Sequence, residues 1–140
     1  MRVIIVGRDK ETIAPLVDKL TTEDFEVIVV ENSVGVLSFI KKKSIQFLLA
    51  DSNYLVSYTL SKQVLSRCPL ARLIVLASRP SLVGMSEAIS AGLADYFPRR
   101  YEYFDEVVHI AISERARLMR WQRTFLLDAP MPLEDDAVKG

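Results

Sequence analysis

The chain has 140 residues, enough for one domain with a substantial core and too few for two of ordinary size. Hydrophobic residues make up 50% of it and charged residues 26%, the composition of an ordered globular protein rather than a disordered one. The 18 Lys and Arg balance 18 Asp and Glu, so no global field draws in nucleic acid or an anionic membrane, and neither is expected as a direct partner.

Arg2 to Val6 is a short β-branched run, suited to a strand buried on both faces of a parallel sheet. Ile13, Leu16, Val17 and Leu20 then follow helical spacing, with Thr12 as the expected N-cap and Pro15 in the first turn. Phe25 to Val30 reads as a second strand. Asn32 or Ser33 is placed to cap a helix carrying Val36, Leu37 and Ile40, which ends in the solvated run Lys41–Lys43. Gln46 to Ala50 is a third strand that delivers Asp51 at its carboxyl tip. Leu60, Val64 and Leu65 mark a third helix, stopped by Cys68-Pro69. Leu73 to Ala77 is a fourth strand, followed by the turn and cap Ser78-Arg79-Pro80-Ser81. Val83, Ile89 and Ala91 belong to a helix that Gly92 ends. Ala94 to Phe97 is a fifth strand, and a long helix starts near Tyr101.

Strands alternating with helices at about twenty-residue spacing predict a doubly wound α/β domain with a parallel sheet. Functional residues in such sheets gather at the carboxyl ends of the strands, here Gly7-Arg8-Asp9, Glu31-Asn32, Asp51-Ser52-Asn53, Ala77-Ser78 and Pro98-Arg99. The apolar runs are far shorter than the roughly 20 residues of a membrane helix. With no signal-like start and the single cysteine Cys68, the expected location is the cytoplasm. Cys68 reads as structural and His109 as an ordinary helix residue. A single glycine after strand one argues against a nucleotide loop, and no Ser or Cys in a strained turn argues for nucleophilic catalysis.

Asp51 at the end of strand three, the Glu31-Asn32 turn, and Ala91-Gly92-Leu93-Ala94-Asp95-Tyr96-Phe97-Pro98-Arg99 together resemble the receiver domain of bacterial response regulators. The resemblance covers roughly residues 1–117 and implies a flavodoxin-like (βα)5 fold with strand order 2-1-3-4-5. It also implies that Asp51 is the position that accepts a phosphoryl group from a histidine kinase. Two acids after strand one would hold magnesium, and a hydroxyl after strand four and a lysine after strand five would contact the phosphoryl group. Tyr96 stands where the family carries a switch aromatic, although a plain packing role is the preferred reading.

The chain departs from that pattern at most positions. The acid pair falls on Gly7-Arg8 if counted from the second strand, or on Arg8-Asp9 if counted from the first helix, the register we prefer. Ala77 replaces the hydroxyl, and Ser78 comes one residue late, where it is expected to point away. Arg99 replaces the lysine, and Arg100 follows it in place of proline. A cis bond there would cost about 3 kcal/mol relative to trans, so this loop is expected to differ. Arg8 and Arg99 are either surface cations or pocket cations, and an arginine fork beside Asp51 would serve without a metal.

The expected function is therefore an atypical receiver that signals through protein contacts, without enzymatic activity or a cofactor. The alternative is a phosphorelay receiver modified on Asp51, with magnesium on Asp9 and Asp51. Its partners would be a histidine kinase or an output domain. Residues 118–140 read as an extension of the last helix followed by a tail or linker. Leu118, Trp121 and Phe125 form an apolar stripe there with nothing of the domain to bury it, and the expected use is pairing with a second copy or a partner helix.

Overall fold

A strand that pairs along both edges at the centre of a parallel sheet needs apolar side chains on both faces, and β1 (Arg2–Val6) supplies them. The computed structural model describes residues 1–55 and 58–128, apart from the side chains of Ser52, Tyr58 and residues 125–128. Within them β1 pairs with β2 (Glu26–Val30) on one side and β3 (Phe47–Ala50) on the other. Beyond β3 come β4 (Arg72–Ala77) and β5 (Asp95–Pro98). All pairings are parallel and the order is 2-1-3-4-5, the flavodoxin-like arrangement.

The helices in chain order are α1 (Lys10–Thr22), α2 (Ser33–Ile40), the single turn α3 (Ser52–Leu55), α4 (Tyr58–Arg67), α5 (Leu82–Ser90) and α6 (Phe104–Asp128), the last entered through a 3₁₀ turn at Tyr101–Tyr103. Alternation along the strands divides the core in two. Val3, Ile5, Phe47, Leu49, Ile74 and Leu76 face α1 and α6, meeting Ile13, Leu16, Leu20, Phe104 and Val107. Ile4, Val6, Leu48, Ala50, Val75 and Ala77 face the other way, onto Val36, Ile40, Leu60, Val64 and Ala88 of α2, α4 and α5.

Local differences from the sequence reading have simple causes. Asp9, not Thr12, caps α1: its carboxylate accepts the Thr12 amide at 3.3 Å and the Thr12 hydroxyl as well. The helix thus begins earlier and Pro15 falls in its second turn. Asn32 and Ser81 cap α2 and α5 by accepting from the amides of Gly35 and Gly84. Gly92 follows α5 at φ +78°, a backbone conformation that a side chain would strain. No cis peptide occurs among the described residues, and Arg100 turns the chain by donating its amide to Pro98. Leu118 was expected to find nothing to bury it, yet it is only 4% exposed. It extends the inward stripe of Val107, Ala111 and Glu114 by one more turn, because the spacings are helical.

At the amino ends of β4 and β5 lies an ion network that the sequence did not reveal. Arg72 bonds Asp95 at 3.0 and 3.2 Å and Glu114 at 3.0 Å, and Glu114 also accepts from Arg117. It ties two strands to α6. Glu114 is held below the usual carboxylate range, chiefly by hydrogen bonds from Arg117 and then by the charges of Arg117 and Arg72, against the opposing effect of burial. A carboxyl depressed in the folded state adds stability above its unfolded value, and that stability is lost as pH falls through the folded value.

Glu114→Gln should cost about 2 kcal/mol, less than the roughly 3–5 of a fully buried pair because Arg72 and Arg117 keep contact with water. The urea midpoint of the unaltered protein should also fall more than the variant's between about pH 6 and about pH 3. Equal falls would show that this carboxylate does not couple folding to pH.

Candidate functional site

The strands hold no polar side chain in their buried interior, so chemistry is confined to their ends. Asp51 follows β3 directly, and its carbonyl accepts the amides of Tyr54 and Leu55, which starts α3. Its side chain is 17% exposed at the carboxyl edge of the sheet. Oδ2 accepts the Ser78 amide at 3.3 Å and the Ser78 hydroxyl. The expectation that Ser78 points away is therefore wrong. Ala77 is the last residue of β4 and turns into the core, so the next residue, already past the strand, is the one that reaches Asp51.

Arg99 is positioned by its own backbone: its amide donates to Ala77 at 2.8 Å, prolonging the β4–β5 ladder by one step. From there its side chain, 11% exposed, brings Nη2 to 3.8 Å from Asp51 Oδ2. This is an end-on charge contact rather than the bidentate fork. Arg99 Nε is buried without a hydrogen-bond partner among the described residues. Arg8 is exposed on the surface, so of the two candidate arginines Arg99 is the one in the pocket.

The residues after β1 separate the two registers. Gly7 is buried, and its amide still pairs with Val30. A Cβ at Gly7 would meet Arg99 Nη1 at 3.4 Å, so position 7 is the one that faces the pocket. Asp9 is exposed and its carboxylate is committed to capping α1. Its pKa is lowered chiefly by the bonds from Thr12 and to a smaller degree by the charge of Arg99, while desolvation opposes them. Asn53 is exposed on α3, away from these contacts.

Magnesium, which the receiver resemblance implies, needs about six oxygen ligands in near-octahedral order. The residues present do not fit it. Position 7 has no side chain, a guanidinium lies beside Asp51, and no group of three or more His, Cys, Asp or Glu among the described residues could hold a metal ion. What the site does hold is a carboxylate neutralised by an arginine and solvated by a serine.

Tyr96 packs against the α2–α4–α5 side of the core, and its hydroxyl accepts the Ser81 amide at 3.0 Å. Gly84 admits that ring: a Cβ there would lie 3.0 Å from the Tyr96 hydroxyl. Trp121 is 51% exposed on α6, and the side chain of Phe125 lies outside the described residues, as do residues 129–140. Among the described residues no helix is long and apolar enough to cross a membrane.

The roles of Gly7 and Ser78 escaped the sequence reading. A glycine immediately after a buried strand, where a carboxylate was sought, was the available signal for the first.

No protein-family model matches the sequence, and no curated protein matches it. Solved structures do. A response regulator from Thermotoga maritima superposes with TM-score 0.71 at 18% identity, over 81% of this chain and 95% of that one. A response regulator from Burkholderia pseudomallei, described with a phosphorylated aspartic acid, gives 0.60 at 15% identity, over 91% and 85%. An atypical orphan response regulator, described as having a phosphorylation-independent regulatory mechanism, gives 0.69 at 17% identity, over 81% and 94%. With its sheet order, its helices on both faces and these superpositions, the chain has the fold of a response-regulator receiver domain.

Proposed function

We propose that the chain is an atypical receiver module that signals through protein contacts, without conventional magnesium-dependent phosphorylation and without enzymatic activity. The carrying observation is that Asp51 Oδ2 already accepts from Ser78 and faces Arg99, while Gly7 stands where a metal-holding acid would be. A nucleophilic carboxylate oxygen needs a free lone pair and a neutralised phosphoryl group opposite it. Here Ser78 and Arg99 address Oδ2, and no acid at position 7 supplies a ligand for the metal that would share in that neutralisation. Structural neighbours include one described as phosphorylation-independent and one described with a phosphorylated aspartic acid, so the reading rests on the site and not on them.

A second reading keeps its place for one reason: Ser78 brings a hydroxyl to Asp51, as a phosphoacceptor receiver requires. In it Asp51 takes a phosphoryl group from a histidine kinase. Acetyl phosphate with magnesium, read by intact mass, separates the two. Lost charge stabilisation of about 2.7–4 kcal/mol per donor slows transfer by about 10²–10³-fold, so no stoichiometric adduct is expected. An adduct that Asp51→Asn abolishes would overturn the leading reading.

The partners we assign are a histidine kinase or an output domain, met through α5, β5 and α6. Leu82, Val83 and Ile89 of α5 are each more than 60% exposed, as is Tyr101, and such apolar groups on one element favour a protein contact. Self-pairing through the outer part of α6 is a separate proposal, supported by Met119 and Trp121, both about half exposed. Sedimentation of the full chain at tens of micromolar should show a dimer, and Trp121→Glu should reduce it to monomer. A monomeric unaltered protein removes self-pairing and leaves only a different partner.

A further inference from the structure

We propose that Arg99 is a resident cation that closes this pocket to divalent metal ions, and that Gly7 is the residue that admits it. The inference deepens the proposed function and rests on its reading of Asp51.

The guanidinium lies across the Cα of Gly7. A Cβ built there would sit 3.4 Å from Nη1, 3.8 Å from Cζ and 3.9 Å from Nη2. A methyl group would just fit, and a longer side chain directed the same way would compete with the guanidinium for that space. The Arg99 side chain is 11% exposed, and its guanidinium puts a fixed positive charge 3.8 Å from Asp51 Oδ2. A divalent ion bound to that oxygen, at about 2.0–2.1 Å, would have to share it with a fixed like charge. Arg99 cannot relieve this by losing its proton, since a guanidinium stays charged throughout the working range of a protein.

The rest of the environment agrees with a charge-holding role. Arg99 Nε is buried with no hydrogen-bond partner among the described residues, so a full set of donor contacts does not explain the position. Its charge does, because Asp51 and Asp9 both feel it. Two carboxylates at the strand ends are thus served by one arginine. Residues 7 and 99 act as a pair: the glycine leaves open the space beside which the guanidinium lies.

Manganese(II) alone, titrated into the protein and read by the electron paramagnetic resonance of the free ion, tests this with no phosphoryl donor present. The unaltered protein should leave the signal unchanged. Arg99→Ala should bind manganese at least about tenfold more tightly, and adding Gly7→Asp should gain about tenfold again, because affinity follows the charge and number of oxygen ligands. Asp51→Asn in that background should remove the gain. One equivalent bound by the unaltered protein and lost with Asp51→Asn would overturn the proposal, as would Arg99→Ala binding no more than the unaltered protein. Circular dichroism reports folding, and if the double variant does not fold, the single Arg99→Ala comparison decides. Stoichiometric labelling of Asp51 by acetyl phosphate would refute the function proposed above through a different readout, so the two failures are distinguishable.

Discussion

Every strand of this sheet except the edge ones must satisfy two cores at once. In β1 and β3 successive side chains alternate between the α1–α6 side and the α2–α4–α5 side, and nearly all are fully buried. A charged or hydroxyl side chain in the middle of such a strand would have no water and no partner, at a cost of several kcal/mol. Polar groups are therefore pushed to the strand ends, where the ladder stops and neighbouring ends converge. The pocket around Asp51 follows from that constraint, and so does the network around Glu114 at the opposite end.

The two ends of the sheet handle charge differently. At the amino end, Arg72 and Arg117 face Asp95 and Glu114 with short, direct hydrogen bonds, and three elements are fastened by them. At the carboxyl end, Arg99 and Asp51 approach without a hydrogen bond, and the serine makes the closer contact. A saturated network resists rearrangement because each group loses a partner when it moves. A charge contact at 3.8 Å without a hydrogen bond holds position less firmly.

The order of elements, the doubly wound sheet and the placement of Asp51 were legible because continuous apolar strands and helical spacing are strong, local signals. Boundaries of strands moved by only a residue. What failed to read was contact between residues far apart in the chain. Glu114 looks like an ordinary surface acid on a helix, and only the meeting of β4, β5 and α6 makes it buried. Arg99 reads equally as a surface or pocket cation until the room left by Gly7 is seen, since nothing local links positions 7 and 99. Asp9 was sought as a metal ligand because of its register with the first helix, but the nearer demand of that helix's uncapped start takes its carboxylate.

Ser78 shows why counting along a strand misplaces a side chain at the strand's end. Alternation holds while the ladder lasts, so Ala77 faces inward and its successor should face the opposite side. The ladder ends at Ala77, however, and the chain turns toward the cap of α5, carrying both the amide and hydroxyl of Ser78 to Asp51. Three residues later the same loop is fixed again, where the Ser81 amide donates to Tyr96 and the Ser81 hydroxyl caps α5. One short segment thus spans from the carboxylate to the first turn of the helix that exposes Leu82, Val83 and Ile89. Two serines of one loop therefore join the carboxylate of Asp51, the strand β5 and the start of α5.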